Sequence, residues 1–369
     1  MNNSLAVIGI GKLGLCLALN LERVGYLVYG VDVDPSYVAA INNKTLATSE
    51  PEVSERLAQS SRFFASVDLS AVFPAEVTLI FLAVATPSLP DGSYDHRQLE
   101  RVTDNLLARG KSPTPKHLVI TCTTMPGYCD QLAAKMAPYN YSVSYNPSFI
   151  AQGSIINDLQ QPDQVLIGEA DQEVGDLLEQ VHRRMCINQP TICRMDRLSA
   201  EITKLATNCF LTTKISFANS IGDLASQVGA QPDKILAAIG ADSRIGQKYL
   251  RYGFGFGGPC FPRDNRALGV FAHSQGHPLP ISEATDQVNH AHLLFQFEQY
   301  LAAYPPTAAI IFDQVTYKKG TVLLTESQQL ALAVLLAKAG RKVVISDQPA
   351  VQEQVEQLYP GLFYFEHEG

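Results

Sequence analysis

The sequence predicts an α/β protein in three parts: an N-terminal domain of alternating strands and helices, a central helical domain, and a short C-terminal α/β domain. In the N-terminal half, short apolar runs typical of buried strands alternate with longer helical patterns, as in a parallel sheet covered by helices. Residues 198–228 contain no proline and no glycine except Gly222, which indicates one long helix. We therefore place the domains at residues 1–196, 197–300 and 301–369.

Composition and charge argue against several classes of protein. The 369 residues carry a formal net charge of −8, which argues against nucleic acid as the main partner. The seven cysteines show no CxxC pairing, so we expect a reducing compartment and neither a disulfide framework nor a metal site. Met1-Asn-Asn-Ser4 leads into an apolar strand without a basic segment, and no apolar run reaches the length of a membrane span. We expect a cytoplasmic protein that does not bind membranes.

The first strand leads into the glycine pattern of a dinucleotide-binding turn. Leu5–Ile10 reads as a buried strand, Gly9-Ile-Gly-Lys-Leu-Gly14 overlaps its end, and Leu15–Gly25 reads as a helix. A second strand, Leu27–Val31, ends at Asp32, 21 residues after Gly11, which completes the βαβ pattern. The glycines allow close approach of a pyrophosphate, and the charge of Asp32 would repel the 2′-phosphate of NADP. The turn therefore predicts NAD as cofactor, with Gly9, Gly11, Lys12, Leu13, Gly14 and Asp32 as binding residues.

The alternation of strands continues to the end of this domain. Further strands are predicted at Val77–Val84, His117–Thr121, Ser142–Tyr145 and Gln164–Gly168, the last of them followed by a final helix near Asp171–Met185. Ligands of such sheets bind beyond the carboxyl ends of the strands, so Thr86 and Thr123 are placed to touch cofactor or substrate. Capping of the helix that follows explains each hydroxyl equally well.

The long central helix carries a polar pair in apolar surroundings. Lys204 and Asn208 are four residues apart and share one face of the helix. Their neighbours are largely apolar, and a buried lysine needs a partner or a chemical role. A helix of this length suits a spine that carries a dimer interface. Two more helices are predicted near Gln231–Gly240 and Pro280–Tyr300.

A glycine-rich stretch, Gly253-Phe-Gly-Phe-Gly-Gly-Pro-Cys260, ends four residues before Asp264. Glycines let a backbone approach a ligand closely, and a cysteine held exposed at the end of such a run can attack as a thiolate. The alternative is a surface loop with a buried, inert cysteine. Beyond this stretch, Thr307–Phe312, Glu326–Gly340 and Lys342–Ser346 predict a strand, a helix and a second strand in a small βαβ-like domain.

Together these features resemble the UDP-glucose/GDP-mannose (nucleotide-sugar) dehydrogenase family over nearly the whole chain. The most specific motifs are Lys204-Leu-Ala-Thr-Asn208 with Lys214-Ile-Ser-Phe-Ala-Asn219, and the stretch from Asp242-Ser-Arg-Ile-Gly246 to Asp264. Val84-Ala-Thr-Pro87, Cys122-Thr123, Asn146-Pro147 and Tyr317-Lys318 support them. The resemblance implies a Rossmann-like NAD domain, a central helical dimerisation domain and a short C-terminal Rossmann-like domain that binds the nucleotide sugar.

The resemblance also implies the chemistry. A C6 hydroxymethyl group would be oxidised to a carboxylate with two NAD⁺, and UDP-glucose to UDP-glucuronate is the favoured reaction. Cys260 would trap the aldehyde as a thiohemiacetal, which would become a thioester that water hydrolyses. Lys204 and Asp264 would assist proton transfer, and Lys204 and Asn208 would stabilise an oxyanion. The product would be a sugar acid for surface polysaccharides.

Each site residue takes its role from this resemblance. The catalytic residues would be Cys260, Lys204, Asn208, Asp264 and Thr123. Thr86, Thr123 and Arg263 would join the cofactor site. The substrate would contact Phe149, Gln152, Lys204, Asn208, Arg244, Tyr249, Gly257 and Lys318. Because Arg244 would reach into the site of the other subunit, a homodimer is expected.

The chain departs from the family at three places. Ser148 and Gln152 stand where the family has glutamates, and a glutamate here is implicated in activating water for thioester hydrolysis. After Tyr317-Lys318 the family has an Asp-Asp-x-Arg run, whereas this chain has Val322-Leu-Leu-Thr325. The last domain is also shorter than usual. We therefore expect slow turnover or an accumulating thioester. The identity of the bound nucleotide is left open.

Four hypotheses about the function follow from these observations. The first is an active nucleotide-sugar 6-dehydrogenase, and the second is a family member that acts on another nucleotide sugar or hydrolyses its thioester slowly. The third is a non-catalytic NAD-binding protein, which the lost carboxylates favour and the retained Lys204, Asn208, Cys260 and Asp264 oppose. The fourth, a β-hydroxyacid dehydrogenase, leaves the loop of Cys260 and the C-terminal domain unexplained.

Overall fold

The computed structural model describes residues 4–366, so the first three and last three residues of the predicted domains lie outside the described part. The chain forms two compact units, Met1–Lys204 and Leu205–Gly369. The division into three domains stays a prediction. Within residues 4–366, no helix is long and apolar enough to cross a membrane.

The first unit contains an eight-stranded sheet in the order β3-β2-β1-β4-β5-β6-β7-β8. All its neighbouring strands pair in parallel except β6 and β7, which are antiparallel. Its strands are β1 (Ser4–Ile8), β2 (Leu27–Val31), β3 (Phe63–Ser66), β4 (Val77–Leu82), β5 (Lys116–Ile120), β6 (Tyr141–Tyr145), β7 (Gln164–Gly168) and β8 (Thr191–Met195).

Helices cover both faces of this sheet. Alternate residues of β1 show why: Leu5 and Val7 belong to one hydrophobic core, whereas Ala6 and Ile8 belong to the other. Side chains of a strand point alternately to opposite faces, so a wholly apolar strand needs two apolar layers. The helices of this unit are α1 (Lys12–Arg23), α2 (Pro35–Asn42), α3 (Val53–Gln59), α4 (Arg97–Leu107), α5 (Tyr128–Met136), α6 (Ile155–Gln160) and α7 (Gln172–Met185).

One prediction about this sheet was wrong. Gln164–Gly168 is not the last strand, because β8 follows it and pairs with it in parallel at the edge of the sheet. As an edge strand, β8 is only partly buried and includes the charged Arg194, so it lacks the apolar run of a central strand.

The long helix is confirmed: α8 spans Arg197–Gln227, which is 31 residues. It is followed by α9 (Pro232–Ala241), α10 (Phe261–Ser274) and α11 (Pro280–Ala303). The sequence did not predict α10, which begins directly after Cys260 and places Asp264 in its first turn. Pro262 lies within that first turn, where a backbone N–H has no acceptor inside the helix. The lack of an N–H in proline therefore costs no helical hydrogen bond.

The end of the chain forms a three-stranded parallel sheet in the order β11-β10-β9. It contains one helix and one strand more than the predicted βαβ piece. The elements are β9 (Ile310–Phe312), α12 (Gln328–Lys338), β10 (Val343–Ile345), α13 (Pro349–Leu358) and β11 (Tyr364–Phe365). Two-residue β11 is too short to leave a strand pattern in the sequence.

Candidate active site

The glycine turn after β1 has the shape of a dinucleotide cradle. Gly9 has φ +84°, and an added Cβ would lie 2.8 Å from the carbonyl oxygen of Ala83. A Cβ on Gly14 would lie within 3 Å of the carbonyl of Gly9. Gly11, by contrast, has nothing within 4 Å of the position of a Cβ, which leaves its side of the turn open. Gly9 and Gly14 are therefore required by the turn itself, and Gly11 leaves room for a phosphate.

Asp32 is fixed beside this turn. Its Oδ2 accepts a hydrogen bond of 3.1 Å from the backbone N–H of Ile10, and its Oδ1 accepts one of 3.3 Å from Asp34. Burial, followed by the charge of Asp32, raises the pKa of Tyr37 to about 12. The residues of the turn and Asp32 thus fit NAD, which family similarity also assigns to this domain.

Lys12, at the start of α1, contacts the segment that follows β6. Its Nζ donates a hydrogen bond of 3.1 Å to Oε1 of Gln152. The same segment is anchored by Glu50, whose carboxylate accepts from the backbone N–H groups of Gly153 at 2.9 Å and Ile155 at 2.7 Å. Glu50 is buried, and no local sequence pattern indicates its role.

Lys204 holds the other end of that segment. Its Nζ donates a hydrogen bond of 3.0 Å to the carbonyl oxygen of Ser148 and lies 4.2 Å from the ring centre of Phe149. Lys204 and Asn208 are both buried, as their apolar neighbours predicted. The contact with Ser148 uses its main-chain carbonyl.

The loop of Thr123, beyond β5, is anchored by a second buried acid that is not evident from the sequence. Glu201 has no exposed surface and accepts from Thr124 Oγ1 at 2.8 Å, the Gly127 N–H at 2.7 Å and the Cys129 N–H at 2.9 Å. Burial raises the pKa of Glu201 despite these bonds. The only sequence signal was its place three residues before Lys204, on the same face of α8.

Two further side chains hold the same loop. Thr86 Oγ1 donates a hydrogen bond of 2.7 Å to the carbonyl oxygen of Thr123, so its hydroxyl joins the loops after β4 and β5. His96 Nε2 accepts from the Met125 N–H at 3.3 Å, and its ring stacks on Tyr128. Burial lowers the pKa of His96 to about 4, which keeps this nitrogen able to accept.

In the second unit, Cys260 is exposed and stands at the N-terminus of α10. One turn later, the N–H of Asp264 donates to the Cys260 carbonyl at 2.8 Å. Asp264 has no exposed surface, and its carboxylate accepts from Asn208 Nδ2 at 2.7 Å and from Arg263 Nε at 3.0 Å. The structure thus brings together three predicted residues, Asn208, Arg263 and Asp264, next to an exposed thiol. A helix N-terminus also stabilises negative charge, which favours a thiolate.

The glycines before Cys260 are explained by close packing. A Cβ on Gly255 would lie 2.2 Å from Oδ1 of Asn289 in α11, and a Cβ on Gly257 would lie 2.3 Å from the carbonyl oxygen of Glu326. Gly258 has φ +83° and packs against the ring of Tyr317. The loop is therefore enclosed between α11 and residues 317–326, and no side chain fits at these positions.

The other predicted substrate residues lie at the surface of the second unit. The guanidinium of Arg244 is largely exposed and pairs with Asp242 at 2.6 Å. Tyr249 has φ +66° and is partly exposed, with its ring edge against Phe261. Lys318 and Thr325 are exposed, and the carbonyl of Thr325 accepts from the Gly258 N–H at 3.0 Å. Within residues 4–366, no group of three His, Cys, Asp or Glu side chains is arranged to hold a metal.

Comparison with known proteins places this chain among nucleotide-sugar dehydrogenases. Residues 3–186 match the NAD binding domain of the UDP-glucose/GDP-mannose dehydrogenase family, and residues 198–291 match its central domain. A UDP-glucose 6-dehydrogenase of Pseudomonas aeruginosa is 30% identical, with 96% of this chain and 81% of that protein covered. One of Bacillus subtilis is 29% identical, with 98% and 83% covered.

A solved structure agrees with these sequence matches. The UDP-glucose dehydrogenase of Pyrobaculum islandicum superposes with a TM-score of 0.88 at 30% identity, covering 99% of this chain and 86% of that one. Sequence, fold and the NAD cradle point to one family. The chain therefore belongs to the UDP-glucose/GDP-mannose dehydrogenase family of NAD-dependent nucleotide-sugar dehydrogenases.

Proposed function

We propose that this chain oxidises UDP-glucose to UDP-glucuronate at C6, with Cys260 as the nucleophile. The observation that carries the proposal is the arrangement around α10. An exposed thiol stands at the N-terminus of the helix, and one turn later Asp264 is buried against Asn208. The similarity to UDP-glucose 6-dehydrogenases over nearly the whole chain supports UDP-glucose as the substrate.

Different residues would serve different steps of the reaction. NAD⁺, when bound, accepts the hydride in each oxidation. The Cys260 thiolate would add to the aldehyde carbon, forming a carbon–sulfur bond and a thiohemiacetal. After the second oxidation, attack of water on the thioester would release the carboxylate and return the thiol. Asn208 would donate to the developing oxyanion, while Asp264 orients the Asn208 amide.

Other predicted residues would supply the remaining groups. Lys204 would assist proton transfer at C6 and hold the Ser148 segment through its carbonyl. Thr123 would place cofactor and water, in a loop that Glu201 and Thr86 anchor. Phe149, Gln152, Arg244, Tyr249, Gly257 and Lys318 would contact the nucleotide sugar.

A slow variant of the same reaction is the second candidate. Ser148 and Gln152 present no carboxylate, and the amide oxygen of Gln152 accepts a hydrogen bond from Lys12. An amide cannot take a proton from water, and loss of a general base costs about 10²–10⁴-fold. The thioester on Cys260 would then accumulate.

The proposal includes a homodimer in the cytoplasm. The apolar stripe of α8, defined as Phe210, Phe217 and Leu224, supports the dimer: these side chains repeat every seven residues and are 64%, 47% and 58% exposed. Such a stripe is covered when two copies of the helix pack together. The cytoplasmic location rests on the seven cysteines, all of which lie in the described chain as thiols.

NADH formation with a panel of nucleotide sugars tests the proposal. The purified chain is mixed with NAD⁺ and UDP-glucose, UDP-galactose, UDP-N-acetyl sugars or GDP-mannose, next to a Cys260→Ala variant. Two NADH per UDP-glucose, absent in the variant, support the proposal. A burst equal to the enzyme sites followed by silence indicates the slow reaction. Turnover of another donor alone overturns the assignment of UDP-glucose, and no NADH with any donor overturns the activity.

A further inference from the structure

His292 of α11 is a buried histidine that the proposed chemistry does not use. Its Nε2 lies 2.6 Å from the carbonyl oxygen of Gly253. Its Nδ1 lies 2.9 and 2.8 Å from the two carboxylate oxygens of Asp223 in α8. The residue is 2% exposed, so water does not replace either partner.

Both partners of the ring are hydrogen-bond acceptors. A backbone carbonyl has no hydrogen to donate, so Nε2 must carry one. Asp223 already accepts from the hydroxyl of Tyr252 at 2.9 Å, and the pKa of Tyr252 is raised to about 12 by burial, so that hydroxyl keeps its hydrogen. Asp223 also faces Nδ1 of His292 with both of its carboxylate oxygens. Each ring nitrogen of His292 therefore faces an oxygen that can accept a hydrogen bond.

This pair holds the start of the loop that leads to Cys260. Gly253 lies seven residues before Cys260, and its carbonyl also accepts from Gln296 at 3.3 Å. Its N–H donates to Oδ1 of Asn219 at 3.2 Å. Side chains of two helices, α8 and α11, thus form hydrogen bonds with the backbone of Gly253.

The following residues continue the same attachment. Asn289, one turn before His292, accepts from the Phe256 N–H at 2.9 Å and donates to the Phe256 carbonyl at 3.0 Å. Gly222 leaves space for the ring of Tyr252, since a Cβ there would lie within 3 Å of that ring. The glycine in the long helix thereby lets Tyr252 reach Asp223.

We propose that His292 is a doubly protonated positioning residue, paired with Asp223, that fixes the Gly253 end of the loop carrying Cys260. Its effect on turnover rests on the proposed function, whereas its charge and its hold on the loop do not. Removal of one partner of a buried ion pair destabilises the protein, since the charge of the other partner is left uncompensated. Loss of His292 should therefore loosen the loop.

NMR of the full-length protein, ¹⁵N-labelled at its eight histidines, tests the charge directly. The His292→Gln variant identifies the signals of His292. Two N–H-type ring nitrogens at neutral pH support the proposal, and one unprotonated nitrogen overturns it. If the Gln variant fails to fold, Asp223→Asn identifies the signals instead, because removal of the counter-charge should abolish the doubly protonated form.

Hydrogen exchange and kinetics test the positioning role. In His292→Gln, amides of residues 253–258 should exchange roughly tenfold faster, as expected for loss of a charged hydrogen bond. The rate constant kcat should fall about 10- to 100-fold with KM for NAD⁺ unchanged. The matched control is His290→Gln, an exposed histidine of the same helix. Unchanged exchange in the loop overturns the positioning role. If the unaltered protein makes no NADH, the proposed function fails while the NMR and exchange results still decide this inference.

Discussion

Asn208 Nδ2 donates a hydrogen bond of 2.7 Å to Oδ2 of Asp264, and both side chains are buried. The other oxygen of Asp264 accepts from Arg263, so both carboxylate oxygens have a defined donor. This bond ties α8 to the first turn of α10, directly after Cys260. Under the proposed function, this bond would orient the Asn208 amide for an oxyanion before substrate arrives.

Asp264→Asn should lower kcat by about 10²-fold or more, because Asn208 and Arg263 lose the charge that orients them. Initial rates of NADH formation measure this effect. Asp104→Asn serves as the matched control, since Asp104 pairs with Lys135 at the surface, where an ion pair contributes little. Wild-type kcat in Asp264→Asn would rule out the role of this carboxylate.

Gln152→Glu should speed the release of product. The new carboxylate can act as a general base for water, which raises the rate of a hydrolysis-limited reaction by up to about 10²–10⁴-fold. Stopped-flow traces should change from a burst to a steady rate. Gln161→Glu, an exposed position after α6, adds the same charge as a control. An unchanged steady rate in Gln152→Glu would show that hydrolysis does not limit turnover.

Gly257→Ala should lower the free energy of unfolding by more than about 2 kcal/mol, because its Cβ would lie 2.3 Å from the backbone oxygen of Glu326. Gly253→Ala is the matched comparison in the same loop. A Cβ there meets nothing within 4 Å, so the change should stay below about 1 kcal/mol. Thermal denaturation of both variants compares them, and equal Tm values would contradict the close packing of the loop.

Phe217→Glu should weaken the proposed homodimer. A charge in the middle of the apolar stripe of α8 would be buried without a partner when two copies associate. Sedimentation velocity over a range of concentrations measures the dissociation constant, which should rise at least 10²-fold. Phe64→Glu, at a phenylalanine 52% exposed in the first unit, is the control. A Phe217→Glu dimer as tight as the wild type would place the interface elsewhere.

The protein should lose stability between about pH 6.5 and pH 4 in part through His182. Burial lowers the pKa of His182 to about 4, and its Nε2 lies 2.7 Å from Oδ1 of Asn146. The unfolded chain therefore binds a proton in this window that the folded chain does not, so stability falls as pH falls. The contribution is at most about 3 kcal/mol.

His182→Gln should flatten this dependence, since the amide can donate to Asn146 without titrating. Thermal denaturation from pH 7.5 to pH 4.5 compares the variant with the wild type and with His290→Gln. An identical loss of Tm in all three proteins would remove His182 from the explanation.

Local sequence patterns were sufficient for several features. The strand, glycine turn, helix and Asp32 are close in the chain, and their spacing follows from the geometry of a βαβ unit. The single helix of 31 residues, Arg197–Gln227, likewise follows from a run that contains no proline and no glycine except Gly222. Burial of Lys204 and Asn208 was visible from their apolar neighbours.

Other features depend on residues distant in the chain. The antiparallel pairing of β7 with β6 and the position of β8 at the edge of the sheet depend on pairing between separate strands. In addition, β8 has few buried apolar residues that would mark it as a strand. The start of α10 at Phe261 follows a glycine-rich run, whose propensities indicate a loop. The anchoring roles of Glu50, Glu201 and His292 appear only once backbone N–H and carbonyl groups from other elements face them.

By itself the sequence determined the NAD-binding fold and the family, and it predicted Cys260 as the nucleophile, because each depends on residue types in short motifs. Only the tertiary structure decided which groups hold those residues in place. Hydrogen bonds such as Asn208–Asp264 and Glu201–Cys129 join positions 56 and 72 residues apart. No local pattern specifies such a pair, since its energy comes from burial and orientation that exist only in the folded chain.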